Sequence, residues 1–366
     1  MIAAGGTGGH VYPALAAAEA LHAQYAQAKL YFVGSGDLER DLVRQSGVAF
    51  AAYDEVRAGP IAGVNWLRKG ISLVNYAVGF VQSVGLLRRH QPQALLLTGG
   101  WSGLPVALAA RLRRVPILIF LPDIEPGATI QRLRGLASQV ALTVPESAAY
   151  FPHTPTIVTG YPLRAAFEQA TREAAIAHFG LDAGRRTLLV FGGSRGARSI
   201  NRALLAILPD LLADGVQVLH VSGTLDWPEV EARRNTLAAG ADYHAFPYLH
   251  HEMALALAAA DLAVSRAGAS VLAEFPYFGL PSILVPYPYA WRYQKVNADY
   301  LAERGAAVRI DDQNLAHELL PAIRALLADD ARLSDMRARA RELACRDGAN
   351  RLAAALAHLA EGRIHD

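Results

Sequence analysis

Residues 3–10 of the chain read Ala3-Ala4-Gly5-Gly6-Thr7-Gly8-Gly9-His10, a short apolar strand that runs into a glycine-rich turn and then into a helix. The pattern returns at 190–198 as Val190-Phe191-Gly192-Gly193-Ser194-Arg195-Gly196-Ala197-Arg198. Such a turn presents backbone N–H groups and the positive end of a helix dipole, which suit a phosphate or a developing anion. Two such turns, about half a chain apart, predict two nucleotide-binding domains.

The rest of the chain alternates short apolar runs with helical stretches, which is typical of a parallel α/β sheet. Predicted strands of the first half lie at 30–34, 94–98, 116–120, 140–144 and 156–159, and those of the second half at 187–191, 216–221, 243–246, 262–264, 282–286 and 307–310. Turn residues at 160–164 follow the first set of strands and mark a linker.

We therefore expect an α/β chain of two Rossmann-like, doubly wound domains that face a central cleft, where ligands of such folds bind. The first domain spans 1–162 and the second 163–348. The C-terminal helix, at about 349–366, is expected to pack back on the first domain.

The composition is that of a soluble enzyme and argues against several other classes. The 366 residues carry a net charge of +2 with basic side chains scattered among acidic ones, so we expect no nucleic-acid partner. The single cysteine, Cys345, excludes an internal disulfide and fits a reducing cytoplasm. The first residues do not read as a secretory leader, so export is not expected. Because the first strand has only about four residues before its turn, we expect further strand residues upstream of Met1.

One segment, residues 71–87, breaks the alternation because it contains no charge and is apolar on nearly all sides. Basic residues flank it at 68–69 and 88–89. It is short of the ~20 apolar residues of a spanning helix, and polar side chains interrupt it. Two interpretations remain open at this stage: a buried helix packed on the first sheet, or an apolar patch with a basic rim that rests on a membrane surface.

Four motifs follow one another in order: the two glycine turns, the segment from Arg266-Ala267-Gly268-Ala269 to Glu274, and the pair Gln294 and Asn297. From residue 3 to about residue 350 they resemble the MurG-type transferases of glycosyltransferase family 28. The resemblance implies a GT-B fold and inverting transfer of N-acetylglucosamine from UDP-N-acetylglucosamine to undecaprenyl-pyrophosphoryl-N-acetylmuramoyl-pentapeptide. It also implies a role in peptidoglycan synthesis and a peripheral location on the cytoplasmic face of the cell membrane, with the 71–87 region as the contact.

The resemblance assigns the donor to residues that offer N–H groups, hydroxyls or a fixed cation. They are Thr7, Gly8, Gly9, Arg164, Gly193, Ser194, Leu249, Gly268, Ala269 and Ser270. No Asp-x-Asp pair occurs, so we expect no metal and no cofactor. Helix dipoles and Arg164 are expected to take the place of a metal ion at the diphosphate. For Arg164 the alternative is a surface ion pair.

Three further side chains are expected at the ribose and the sugar. Glu274 would bind the ribose hydroxyls, and the alternative is that it compensates the dipole of its helix. Gln294 and Asn297 lie one helical turn apart, so both amides could face one N-acetyl sugar. The alternative for this pair is a polar helix face.

On the acceptor side, His10 is expected to take the proton from the attacking hydroxyl, because an imidazole titrates near neutrality. The alternative is a helix-start histidine that satisfies local backbone groups. Where family members carry His-Glu-Gln-Asn, residues 120–123 read Phe-Leu-Pro-Asp, so the usual glutamate is absent. We expect Asp123 to orient His10 in its place.

The departures from the family pattern cluster on the acceptor side and include residues 99–105 and Tyr161. They leave three alternatives open. These are transfer to a different lipid or polysaccharide acceptor, a UDP-N-acetylglucosamine 2-epimerase on the same fold, and a sugar-nucleotide-binding relative without catalytic activity.

Overall fold

The computed structural model describes residues 1–59, 66–193, 196–237, 242–288 and 293–362, with the side chains of 67–69 left out. The chain divides into two compact units. The first comprises residues 1–164 and 346–366, and the second comprises residues 165–345. The C-terminal segment therefore returns to the first unit.

Each unit contains one sheet in which all described strand pairs are parallel. The first sheet has the order β3-β2-β1-β4-β5-β6-β7 and the second the order β10-β9-β8-β11-β12-β13. The strands are β1 (Ile2–Ala4), β2 (Tyr31–Gly34), β3 (Ala52–Glu55), β4 (Leu95–Gly99), β5 (Ile117–Leu121), β6 (Gln139–Leu142), β7 (Thr156–Val158), β8 (Thr187–Phe191), β9 (Gln217–Val221), β10 (Tyr243–Phe246), β11 (Leu262–Ser265), β12 (Ser282–Leu284) and β13 (Ala307–Arg309). The predicted strands are confirmed, and β3 was missed because an edge strand with two acids carries no apolar run.

Helices connect the strands. They are α1 (Gly8–Gln24), α2 (Asp37–Gln45), α3 (Trp66–His90), α4 (Gly103–Leu112), α5 (Ala128–Leu133), α6 (Ala166–Gln169), α7 (Arg172–Phe179), α8 (Arg198–Ala213), α9 (Trp227–Asn235), α10 (Met253–Ala259), α11 (Val271–Phe278), α12 (Tyr293–Glu303), α13 (Leu315–Leu327), α14 (Asp330–Glu342) and α15 (Gly348–Gly362). α15 packs on α1, where Gln24 donates to Asn350 at 2.9 Å. At the start of α15, Gly348 lies close to the backbone of Tyr161, because a Cβ atom there would lie 2.5 Å from the Tyr161 carbonyl oxygen.

The central strands are buried on both faces, as parallel sheets covered by helices require. Leu95, Leu96 and Leu97 of β4 are all buried, and so is every residue of β8. β1 and β8 are the first strands of their sheets in chain order. After β1 the chain adds β2 and β3 on one side and then crosses over to add β4 on the other side, and after β8 it does the same with β9, β10 and β11. The carboxyl ends of β1 and β4, and of β8 and β11, therefore form the two switch points at which doubly wound sheets bind ligands.

α3 combines the two interpretations of the uncharged segment. Ser83, Leu86 and Leu87 are buried against the first unit, whereas the apolar residues Ile71, Leu73, Val74 and Val81 are between 62% and 70% exposed. By length and composition, the 21 residues of Gly70–His90 could cross a membrane, and 28% of the apolar window is buried. Because α3 connects β3 to β4 of the first sheet, it is an integral helix of the first unit. Its other, apolar face is left exposed at the surface of that unit.

Candidate active site

The first glycine turn holds His10 in one orientation. Its Nδ1 lies 3.0 Å from the carbonyl oxygen of Gly5, and its own carbonyl accepts from the Thr98 hydroxyl at 2.6 Å. A carbonyl oxygen can only accept, so Nδ1 carries the proton in the neutral ring. Nε2 is then left with a lone pair, which is the state that a general base needs.

Gly99, at the end of β4, is packed against the imidazole of His10. A Cβ atom at this position would lie 2.5 Å from Cδ2 and 2.9 Å from Nε2 of the ring, and the backbone φ of +128° also favours glycine. The ring is therefore confined by backbone on one side. This explains why a glycine pair ends β4 directly opposite the first glycine turn.

Burial lowers the pKa of His10 below its ordinary value of 6.5, while the hydrogen bond to Gly5 acts in the opposite direction. Desolvation is the larger cause. The residue as a whole is nevertheless partly exposed. His10 is thus neutral at pH 7 and keeps access to a ligand.

A buried carboxylate lies beneath the same turn. Glu39, in the first turn of α2, is 3% exposed, and its Oε1 accepts from the N–H of Gly6 at 2.7 Å. Ser35 also donates to Oε1, at 3.4 Å. Sequence reasoning missed Glu39 because an acid in the first turn of a helix is usually explained by the helix dipole.

Two further expected residues belong to the first unit. Arg164 stacks over the ring of Tyr12, with its guanidinium carbon 4.4 Å from the ring centre. Asp123 follows β5 and is partly exposed. Its role as the group that orients His10 stays a prediction, and the Nδ1 position of the ring is already paired with Gly5. Thr7 and Gly9 are exposed where α1 begins, while Gly8 is buried.

The second glycine turn follows β8 and leads into α8. Gly196 has a φ of +76°, and a Cβ atom there would lie 2.3 Å from the carbonyl oxygen of Ser222. Ala197, the N-cap residue of α8, offers no side-chain hydrogen bond to the first turn of the helix. Gly193 lies in this turn, and the predicted contact Ser194 lies outside the described residues. The turn presents the N-terminus of a helix that the N-cap side chain does not cap, which suits an anion.

A buried polar chain holds α8 against the neighbouring strands. His220 is fully buried, and its Nδ1 and Nε2 lie 2.8 Å from the Tyr243 hydroxyl and 3.0 Å from Asn201 Oδ1. Asn201 donates in turn to Ser222 and to Asp226, both at 2.9 Å. Burial lowers the pKa of His220 to about 3, so the ring is neutral. The start of α8 is therefore fixed by hydrogen bonds to neutral groups and by Asp226.

Arg266, which follows β11, joins the first turn of α8 to the segments that follow β12 and β13. It donates to the Ser199 hydroxyl at 2.7 Å, to Asp312 at 2.5 Å and to the Val285 carbonyl at 3.2 Å, and it lies 5.3 Å from the ring centre of Tyr287. Its side chain is only 11% exposed, so Arg266 acts as a buried support for these segments.

Gly268, Ala269 and Ser270 follow Arg266 and are partly exposed at the start of α11. A Cβ atom at Gly268 would meet no atom within 4 Å, so the space beside it is open. The Ser270 hydroxyl donates to Glu274 at 3.0 Å, which orients a half-exposed carboxylate one turn into the helix.

The two amides at the start of α12 are in different environments. Gln294 is half-buried and accepts from the N–H of Tyr287 at 2.9 Å. Asn297 is fully buried and donates to the carbonyl of Ala267 at 3.1 Å. Asn297 has no accessible surface and supports the turn at Ala267, whereas Gln294 is half-buried, and the contact of both amides with one sugar stays a prediction. Leu249 follows β10 and is partly exposed.

Within the described ranges, no group of three or more His, Cys, Asp or Glu side chains is placed to hold a metal ion.

Comparison with known proteins gives a consistent result over most of the chain. Residues 1–142 match the N-terminal domain of glycosyltransferase family 28, and residues 187–352 match the C-terminal domain of that family. The chain belongs to glycosyltransferase family 28. A relative from Roseiflexus sp. (strain RS-1) is 41% identical over 95% of this chain and 92% of its own length. It is named UDP-N-acetylglucosamine--N-acetylmuramyl-(pentapeptide) pyrophosphoryl-undecaprenol N-acetylglucosamine transferase.

Solved structures show the same architecture. Acinetobacter baumannii MurG superposes with a TM-score of 0.74 at 24% identity, covering 98% of both chains. A UDP-GlcNAc 2-epimerase from Neisseria meningitidis, bound to UDP-GlcNAc, superposes with a TM-score of 0.65 at 12% identity, covering 99% of both chains. The predicted fold class, two Rossmann-like units of the GT-B type, is confirmed.

Proposed function

We propose that this family 28 chain transfers N-acetylglucosamine from UDP-N-acetylglucosamine to N-acetylmuramyl-(pentapeptide) pyrophosphoryl-undecaprenol. The observation that carries the proposal is the 41% identity, over nearly the whole chain, to a relative named for this reaction. Transfer to another lipid acceptor is the alternative to be tested, because residues 120–123 depart from the family pattern on the acceptor side.

In the proposed reaction the second unit binds the donor. The turn from Gly193 to Ala197 and the N-terminus of α8 would hold the diphosphate, and Glu274 would accept hydrogen bonds from the ribose. As the bond from the anomeric carbon to the phosphate oxygen breaks, its electron pair passes to the leaving UDP. Fixed N–H groups stabilise that growing negative charge without having to reorganise.

The first unit supplies the base. The acceptor hydroxyl attacks the anomeric carbon from the face opposite UDP, which inverts the configuration, and its proton passes to Nε2 of His10. The Gly5 carbonyl keeps the Nδ1 proton in place. The imidazolium that forms is stabilised by the same hydrogen bond.

We also propose that the exposed apolar face of α3 rests on a membrane surface that carries the lipid acceptor. Ile71, Leu73 and Val74 lie in the N-terminal half of the helix, and Trp66 is 77% exposed at its start. Helices that connect parallel strands begin at the carboxyl edge of the sheet, where the first glycine turn also lies. Burial of each such side chain in the headgroup layer contributes about 1.5–3 kcal/mol at most.

A transfer assay tests the function. The purified protein is incubated with radiolabelled UDP-N-acetylglucosamine and the muramyl-pentapeptide lipid, and labelled lipid is expected. The same donor without acceptor is expected to be recovered unchanged, whereas an epimerase would convert it. Labelling of a different lipid in preference to this one, or of none, would contradict the proposal. A parallel reaction with EDTA is expected to proceed at the same rate.

Vesicle sedimentation tests the membrane contact. The double variant Leu73→Gln/Val74→Gln is expected to bind vesicles of anionic phospholipid at least tenfold more weakly, since two apolar side chains are lost from the contact. Leu225→Gln is the matched control, because Leu225 is 66% exposed on the second unit. Equal losses in both variants would refute the assignment of the contact to α3.

A further inference from the structure

The peptide group between Gly5 and Gly6 is held from both sides. Its N–H, on Gly6, donates to Glu39 Oε1 at 2.7 Å, and its carbonyl, on Gly5, lies 3.0 Å from Nδ1 of His10. We propose that Glu39 is a positioning residue that acts on His10 through this single peptide group. The inference rests on the proposed role of His10 as the base.

The physical connection is the conjugation of the amide. Because the peptide C–N bond has partial double-bond character, a negative charge at the N–H increases the electron density on the carbonyl oxygen. The hydrogen bond to Glu39 is charge-assisted and therefore strong. The Gly5 carbonyl becomes a better acceptor for the Nδ1 proton, which makes Nε2 more basic and stabilises the imidazolium.

Glu39 is fixed in this position by its surroundings. It is almost fully buried, and Ser35 donates to it at 3.4 Å. A Cβ atom at Gly5 would lie 2.4 Å from Oε1, so only glycine allows the carboxylate to come this close. The close approach of Glu39 therefore explains why the first residue of the turn is a glycine. Neither a bound phosphate nor an unusual backbone angle is required to explain it.

The charged groups around Glu39 leave its negative charge directed at the turn. Arg40, the adjacent cation, pairs with Asp37 at 3.0 Å and with Glu55. Tyr53 donates to the carbonyl of Gly36 at 3.2 Å, and burial, followed by the charges of Glu55 and Glu39, raises the pKa of its phenol. The hydroxyl of Tyr53 therefore stays protonated and adds no second negative charge beside Glu39.

The same geometry bears on the departure at residues 120–123. A carboxylate at Nδ1 is the usual means of orienting a catalytic histidine, as in serine hydrolases. Here Nδ1 meets a backbone carbonyl, and the carboxylate stands one peptide group further away. Glu39 thus places a negative charge one peptide group away from Nδ1, and the predicted role of Asp123 is separate from it.

The test is a titration of His10 by NMR in protein labelled at histidine, with the signal assigned by loss in His10→Gln. Glu39→Gln keeps an oxygen acceptor for Gly6 and removes the charge. Its His10 is expected to titrate about one pH unit lower than in the wild type, since a unit charge is lost across a short, partly buried path. Glu55→Gln is the matched control, because it removes a nearby carboxylate that does not contact the turn, and it is expected to leave the titration unchanged.

An unchanged titration in Glu39→Gln, or an equal shift in Glu55→Gln, would overturn the inference. The titration needs no turnover, so it stays decisive even if the chain transfers a different sugar. If Glu39→Gln does not fold, Glu39→Asp keeps the charge at a greater distance and is expected to shift the titration in the same direction by less, and no shift there would overturn the inference. In the transfer assay, Glu39→Gln is expected to lower kcat about tenfold, with the KM for the donor unchanged and the acid limb moved to lower pH.

Discussion

The two glycine turns of this chain are nearly alike in sequence but differ in what surrounds them. The turn after β1 has the Glu39 carboxylate on the N–H of Gly6 and an imidazole on the carbonyl of Gly5. In the turn after β8, the described residues pack backbone against backbone, with Gly196 against Ser222, and the N-cap residue of α8 offers no side-chain hydrogen bond.

Because of this difference, the same strand-turn-helix motif favours different chemistry in the two units. A negative charge beneath the first turn disfavours a second anion beside Gly6 and favours a histidine that takes up a proton. The second turn presents N–H groups and a helix dipole, which favour a diphosphate. The same strand-turn-helix motif can therefore hold a base in one unit and bind an anion in the other.

The largest test of this comparison is His10→Gln, which removes the base and keeps a side chain that can hydrogen-bond to Gly5. We expect kcat for transfer to fall by about 10²–10⁴, the usual contribution of a general base. The affinity for UDP, measured by calorimetry, is expected to stay the same because the second unit binds it. Transfer within a few-fold of the wild-type rate would remove His10 from the mechanism.

The next test exchanges one glycine in each unit for alanine. Gly196→Ala places a methyl group 2.3 Å from a backbone oxygen at a φ of +76°, so the second turn must move. We expect UDP to bind about 10–100-fold more weakly, which corresponds to the 1–3 kcal/mol typical of such strain. Calorimetry with UDP measures the loss.

Gly99→Ala is the counterpart in the first unit, because its methyl group would meet the His10 ring. Here kcat is expected to fall while the affinity for UDP is retained. Thermal unfolding of both variants controls for loss of fold. If either variant lost both properties equally while still folded, the two turns would not have separate roles.

A smaller effect is expected in the pH dependence of kcat/KM. His10 must be neutral to accept a proton, so activity falls about tenfold per pH unit below its pKa. Burial places that pKa below 6.5, and the acid limb is therefore expected below pH 6.5. Rates measured with saturating acceptor between pH 5 and 8 locate the limb. A limb above pH 7, or the same limb in His10→Gln, would contradict this assignment.

The smallest test concerns the stability of the second unit. Burial holds the pKa of His220 at about 3, below its ordinary value of 6.5, so the unfolded chain binds a proton that the folded chain does not. Above pH 6.5 this difference costs the folded state nothing. As the pH falls from 6.5 towards 3, the free energy of unfolding decreases by up to about 1.4 kcal/mol per pH unit.

His220→Gln cannot take up that proton. We expect its free energy of unfolding to depend less steeply on pH between 6.5 and 4, whatever its absolute stability. Urea unfolding at a series of pH values measures both slopes. Equal slopes in the variant and the wild type would show that His220 does not titrate in the unfolding reaction.

Local sequence was sufficient where a residue's role depends on its neighbours in the chain. The order of apolar runs predicted the strands and both glycine turns, because buried parallel strands need continuous apolar residues and strand-turn-helix units need glycine. It failed at β3, whose pairing with β2 stabilises a strand that has no apolar run of its own. It also gave no sign that the polar side chain of Asn297 is fully buried, because its hydrogen-bond partner is a carbonyl 30 residues away.

The sequence by itself determined the two-unit α/β architecture and the candidate base, since periodicity and turn chemistry are local properties. Only the tertiary structure decided that the first turn is paired with Glu39, that the Nδ1 proton of His10 is held by Gly5, and that one face of α3 is left outside. Each of these depends on groups brought together from distant parts of the chain. The physical reason is that burial and hydrogen bonding depend on distance in space, which the spacing of residues along the chain does not fix.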